Sequence, residues 1–466
     1  MGSDFIHPRC GKGLVAMSLR VMSYCRQMQC YKFFVCIVVI SVALCGNHSA
    51  YGKVYIDIDS PTFNKFPVAI TDFEKSKGSE DKEKLSIWFS DALTRCLEAT
   101  GLFHVIGKRA FLEKQGGLAV ENIRFADWKI IGAEYLVKGN FLFDGRDLVT
   151  EFRLFDVIKG EFITGKKYHG KIEDRRMMVL KFAGEILLAL TGNEGVFDTK
   201  IAFVLKKGKT SDIYTVGFDG YDLVRITNYQ SITLSPRWSP DGRYISFTSY
   251  KDGNPDLYLM DLGDRTARKV ANFRGLNLSG AWSPDGKNIL LTLSKDGNEE
   301  IYVMDLKNGQ LRRLTSDFAI DVSPTWSSDG RKIAFVSNRS GSPQIYLMDA
   351  DGGNVRRLTY KGNYNTSPSW SPRGDRIAYE GMINGFFQIF SIEEDGSNLL
   401  QLTSDVANNE SPSWSPDGRY IAFCSKRGGR NRICAINANG SNMRVLYEGT
   451  DDCIGLSWSP KFYSEK

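Results

Sequence analysis

Asp-Gly pairs stand at Asp241, Asp285, Asp329 and Asp417, spaced by 44 residues or twice that. Carboxylates set out so regularly could ligate a cation. Each also precedes a glycine able to take the positive φ of a tight hairpin, and that turn chemistry accounts for them without a metal. A Ser-His-Asp or Cys-His mechanism needs histidine, and the chain has four: His7, His48, His104 and His169, none beyond residue 169. His104, in "LFHVIG", reads as an ordinary strand residue. GxSxG, P-loop and HExxH motifs are missing. No catalysis and no cofactor is expected.

Of nine cysteines, only Cys96, Cys424, Cys434 and Cys453 follow residue 52. They form no CxxC and no dense framework. Cys424 and Cys434 fall on neighbouring strands of the repeat described next. That leaves open a disulfide between them in an oxidising compartment or buried thiols serving as small hydrophobes.

Tryptophans recur every 44 residues, at 238, 282, 326, 370, 414 and 458. In step with them run the triplets "IAF", "ISF", "ILL", "IAF", "IAY" and "IAF", beginning at 201, 245, 289, 333, 377 and 421. This period, with four short strands per unit, predicts a β-propeller. Strand A is "SPxW", B is "IAFxS", C is "IYLMD" and D is "RRLT". Pro236, Pro324, Pro368 and Pro412 open strand A and place it on a blade edge, since proline cannot donate to a ladder. The first unit starts at strand B and the last ends at Trp458, so the C-terminal strand closes a six-bladed ring and leaves no open edge. The A–B and C–D turns are short and alike on one face. The D–A loops on the other face differ from blade to blade, and variation on a rigid scaffold marks a binding surface. Its candidate residues are Asn277, Asp321, Tyr364, Asn365, Thr366, Asn408, Asn409, Glu410, Asp451 and Asp452.

Residues 53–192 lack the period and read as a small α/β domain with one sheet and about three helices; 193–199 form a linker, and 200–466 the propeller. Residues 1–52 read as an export signal. Arg20, Arg26 and Lys32 precede the apolar run 33–45, and Ala50-Tyr51-Gly52 suits cleavage before Lys53. Translation starting at Met17, Met22 or Met28 would give a signal of more usual length. The 60 basic and 54 acidic residues give +6. Five bases and one acid lie in the first 52 residues, which leaves +2 for the rest and no footprint for nucleic acid.

In this order, signal, α/β domain and six blades resemble the TolB family of the Tol–Pal system. The junction "LTGNEGVFDTKIAFV" (190–204) and the segment "KVYIDIDS" (53–60) carry the resemblance. It implies a non-enzymatic periplasmic interaction protein that supports outer-membrane integrity and outer-membrane invagination during division. It implies binding of the lipoprotein Pal at the channel mouth, at positions falling on Leu276, Asn277, Ser279, Val322 and Ser323. TolA would bind the mature N-terminus, at Val54, Ile56, Ile58, Asp59 and Ser60. Other outer-membrane lipoproteins or porins join the expected partners, with membrane association only through them. Two further readings fit the repeat alone. One is a secreted propeller for a peptide, glycan or small ligand; the other is an accessory propeller of prolyl-oligopeptidase type without its catalytic domain.

Overall fold

The computed structural model describes residues 64–462, apart from 80, 82 and 113–116. The export signal and the segment Val54, Ile56, Ile58, Asp59 and Ser60 lie outside the described residues.

The α/β part is built on strands β1 (Phe66–Ile70), β2 (Glu74–Lys75), β3 (Phe103–Val105), β4 (Tyr135–Phe143), β5 (Asp147–Asp156) and β6 (Glu161–Lys171). The sheet order is β3-β1-β4-β5-β6, with β2 also paired to β4. β1 runs parallel to β3 and β4, and β4 to β6 form an antiparallel meander. His104 and His169 are exposed on β3 and β6, at opposite edges of the sheet. Helix α1 (Leu85–Ala99) buries Leu85, Phe89, Leu93, Cys96 and Leu97, the i, i+4 stripe legible in its sequence. Helix α2 (Phe125–Ile130) is one short element that buries Trp128. Helix α3 (Arg175–Thr191) buries Met178, Phe182 and Ile186 and ends at Gly192, whose φ of 77° makes the left-handed C-terminal turn. Among the described residues no helix is long and apolar enough to cross a membrane.

Residues from Lys200 onward form six four-stranded antiparallel sheets, each ordered A-B-C-D. Blade 1 takes Lys200–Lys207, Thr210–Gly217 and Val224–Arg225 as strands B to D, and the C-terminal strand Asp452–Trp458 as strand A. Ring closure therefore follows the expectation from the sequence. Three tryptophans stitch neighbouring blades: Trp238 Nε1 donates to Ser457 O, Trp282 Nε1 to Ser246 Oγ and Trp414 Nε1 to Ser369 O. Trp458 Nε1 donates within the closing blade, to Thr199 Oγ1 just ahead of strand B.

Two details differ from the sequence reading. The prolines do not open strand A but stand inside it, at a bulge. In Thr233–Trp238 the ladder shifts between Leu234 and Arg237, and Ser235 takes φ 52°. Ser323, Ser367 and Ser411 do the same ahead of Pro324, Pro368 and Pro412. The bulge breaks the ladder where proline has no N–H to offer, so the ring costs no buried donor there. Second, Cys424 and Cys434 do not face each other. Cys434 pairs with Phe423, the neighbour of Cys424, so period-2 alternation sends the two thiols to opposite faces of the blade.

The Asp-Gly carboxylates are used locally. Asp241 Oδ1 accepts from Ser239 Oγ at 2.5 Å and from Arg243 N at 3.0 Å, and Asp285, Asp329 and Asp417 repeat this pattern. No cluster of three or more potential metal ligands occurs among the described residues.

Candidate partner-binding face

One strand position, repeated around the ring, underlies the D–A loops and at three asparagines bonds loop groups directly. Thr233, Asn277, Asp321, Asn365, Asn409 and Cys453 stand 44 residues apart, and all are buried. Asn277 Oδ1 accepts from Phe273 N at 2.9 Å, and its Nδ2 donates to Phe273 O and Gly275 O at 2.8 and 3.1 Å. Asn365 Nδ2 donates to Lys361 O and Gln344 Oε1, both at 2.8 Å. Asn409 Nδ2 donates to Asp405 Oδ1 at 2.6 Å and to Gln388 Oε1 at 3.1 Å. Asp321 Oδ2 accepts from Arg339 Nη2 at 2.7 Å, and burial raises its carboxyl above the ordinary range. A short polar side chain here satisfies loop backbone or buried groups that would otherwise be orphaned.

The other residues expected to bind a partner sit in or just under this face. Leu276 is half-buried, and its N–H donates to Ser294 Oγ at 2.9 Å. Ser279 is buried against Ser246, Oγ to Oγ 2.9 Å. Val322 packs on the core between blades 4 and 5, and Ser323 is exposed in the channel wall. Thr366 pairs with Glu380 across strands A and B. Asn408 Oδ1 accepts from Phe387 N at 3.0 Å. Burial raises the half-buried Glu410 carboxyl. Asp452 accepts from Lys426 Nζ at 3.1 Å.

What the loops present outward is apolar. Phe318 is fully exposed, Val406 is 81% exposed and Tyr360 74%; Ile232, Ile320 and Tyr364 are exposed beside them. Several charges among these loops are paired, Arg339 with Asp317 and Asp321, Arg427 with Asp405, Lys426 with Asp452, while Arg274 and Lys361 stand exposed. Such a surface can bury aromatic and aliphatic side chains against a protein. Phe318 and Val406 lie in loops legible as variable, but only the structure shows that they, rather than the asparagines, point outward.

The bulges line a central channel enclosing about 130 Å³ between Ser323, Ser367, Ser411 and Gly455 at one end and Arg237. Arg237 also borders the tryptophan-lined space of about 270 Å³ beyond it. The equivalent positions carry Ala281, Thr325, Ser369, Ser413 and Ser457. Arg237 Nη1 donates to Pro236 O at 2.9 Å and Leu456 O at 3.3 Å, and desolvation pushes its pKa down to about 10. Beside the channel, Glu380 Oε1 accepts from Ser367 Oγ at 3.0 Å and Oε2 from Ser411 N at 2.5 Å. Desolvation drives its carboxyl up to about 7. Neither residue was singled out in the sequence. The signal was present in both cases, an arginine and a glutamate where the other blades place small or apolar residues.

On the opposite face the α/β part meets blades 1 and 6. Arg176 bonds buried Asp219 at 2.8 Å and Asp222 at 2.7 Å, and lies over the Tyr221 ring at 4.5 Å. Arg444 donates to Ala99 O, at the C-terminal end of helix α1.

These features define a six-bladed propeller joined to an α/β domain, with its turns used for structure and its variable loops gathered on one face. The profile described as TolB beta propeller domain matches residues 188–462, and the TolB amino-terminal domain matches residues 54–163. The chain belongs to the TolB family. It is 54% identical over 229 residues to the Tol-Pal system protein TolB of Syntrophus aciditrophicus, covering 47% of this chain and 51% of that protein. It is 40% identical over 220 residues to that of Desulfosudis oleivorans, covering 47% and 50%. The chain thus spans about half the length of the curated relatives it matches. The crystal structure of TolB from Acinetobacter baumannii superposes with a TM-score of 0.74 at 28% identity, over 85% of this chain and 97% of that one.

Proposed function

We propose that the chain is a non-enzymatic, periplasmic binding component of a Tol–Pal system. It docks a Pal-type lipoprotein on the D–A loop face and engages TolA through the mature N-terminus at Val54, Ile56, Ile58, Asp59 and Ser60. In this way it supports outer-membrane integrity and invagination at division. The working parts are the domain 53–192, the linker 193–199 and the propeller 200–466, released from the signal 1–52. The observation that carries the reading is the set of exposed apolar side chains on loops fixed by buried polar anchors. Leu276, Asn277, Ser279, Asp321, Val322, Ser323, Asn365, Thr366, Asn409 and Glu410 form or support that face. Titration with the soluble domain of a Pal-type lipoprotein tests it. The pair Phe318→Ser and Val406→Ser is expected to weaken binding at least about tenfold, a loss of ~1.4 kcal/mol. Unchanged affinity would move the site. Deleting residues through Ser60 should leave the fold intact and abolish capture of TolA; a truncated protein that still captured TolA would refute that assignment. Arg237, enclosed in the channel with two backbone carbonyls as partners, favours one second reading, a small anionic ligand. A phosphate or acetate titration that is silent for the wild type would remove it.

A further inference from the structure

Between neighbouring blades, a residue of strand B in one faces the loop-anchoring position of strand A in the next. At the seam of blades 2 and 3 the pair is Thr248 and Asn277, joined by a hydrogen bond from Thr248 Oγ1 to Asn277 O at 3.0 Å. Four repeats further along, the same two positions are Cys424 and Cys453. Both are buried, and their sulfurs are 2.7 Å apart. Here the polar residue that the other five repeats carry on strand A gives way to cysteine, and the facing strand B position, Val204, Thr248, Thr292, Val336 and Glu380 elsewhere, carries cysteine too, the one residue type able to bond to it covalently. This seam is also where the C-terminal strand Asp452–Trp458 leaves blade 6 to complete blade 1.

We propose that Cys424 and Cys453 form a disulfide that fastens the ring-closing strand to blade 6. The two thiols lose two protons and two electrons to an exchangeable disulfide, protein-borne or small-molecule. Its S–S bond breaks to two thiols as the Cys424–Cys453 bond forms. Cys434, on the opposite face of the blade beside Phe423, is not a competitor. Burial, with Cys453, Glu410 and Glu380 adding to it, pushes the Cys424 thiol up. The thiolate needed for exchange is therefore available while the strand is being seated, not once the ring has closed. The chemistry does not depend on the function proposed above; its occurrence in the cell rests on the export reading.

The test is to unfold the purified full chain, refold it in a glutathione redox buffer, and alkylate it under denaturing, non-reducing conditions before peptide mapping. A peptide pair joining Cys424 to Cys453 and lighter by two hydrogens is expected, with Cys434 alkylated. Cys453→Ser should free Cys424 for alkylation and lower the denaturant midpoint by as much as dithiothreitol lowers that of the wild type. Cys434→Ser should leave Cys424 and Cys453 joined, and dithiothreitol should still lower its denaturant midpoint. Full alkylation of both Cys424 and Cys453, or a Cys424–Cys434 peptide, overturns the proposal. A link formed on refolding but missing from protein taken from the cell envelope would support the disulfide and count against export.

Discussion

Glu380 offers a sharp test of the propeller interior. Its carboxyl sits between blades 5 and 6, bonded to Ser367 Oγ and Ser411 N, and desolvation raises it from an ordinary value near 4.5 to about 7. The folded state thus holds a proton that the unfolded state releases between those values. Its contribution to stability is greatest below pH 4.5, is lost as pH rises toward 7, and is flat above. A shift of 2.5 units at 1.36 kcal/mol each corresponds to about 3 kcal/mol between pH 4 and pH 8. Glu380→Gln keeps the shape and cannot ionise, so it should remove that component while other carboxylates go on titrating. Urea unfolding of both proteins at several pH values in this range measures it. The wild type should lose about 3 kcal/mol more than the variant between pH 4 and 8. Parallel curves would show that Glu380 is ionised and solvated throughout, and would refute the burial argument.

Three further outcomes follow from other contacts. Trp458→Ala removes a buried ring stacked on Tyr420 and bonded to Thr199. It should cost about 3–5 kcal/mol in urea unfolding; a cost below ~1 kcal/mol would mean the closing strand contributes little. Asp219→Ala leaves Arg176 with Asp222 alone. A loss of about 2 kcal/mol, below the range for breaking a fully buried pair, should split the calorimetric unfolding into separate transitions for the α/β domain and the propeller. A single unshifted transition would contradict the junction described above. Arg237→Met replaces an enclosed charge with no carboxylate within bonding reach among the described residues and should be neutral or stabilising by about 1–2 kcal/mol in anion-poor buffer. Destabilisation beyond that would show the guanidinium to be structurally compensated.

The architecture was legible because repetition amplifies weak signals. One such strand is ambiguous, but six tryptophan-ended strands in register, four of them "SPxW", fix blade count, strand order and the closure by Trp458. Burial of the loop asparagines was not legible. Asn277, Asn365 and Asn409 look like solvated loop residues in a sequence, and only three-dimensional contact shows their amides consumed by loop backbone and buried neighbours. The position of proline within strand A was missed because a left-handed serine ahead of it, as at Ser235, contradicts the local preference for extended backbone before proline. The ring geometry overrides that preference. The Cys424–Cys453 contact spans a seam between blades, so spacing along one blade pointed to Cys434 instead.

Hydrogen exchange of the full chain, with and without the soluble domain of a Pal-type lipoprotein, tests the central claim most directly. The account predicts slowed exchange in the D–A loops around 228–232, 272–276, 316–320, 360–364 and 404–407, with the A–B and C–D turns unchanged. Protection confined to the turns on the opposite face, or none at saturating partner, would contradict it.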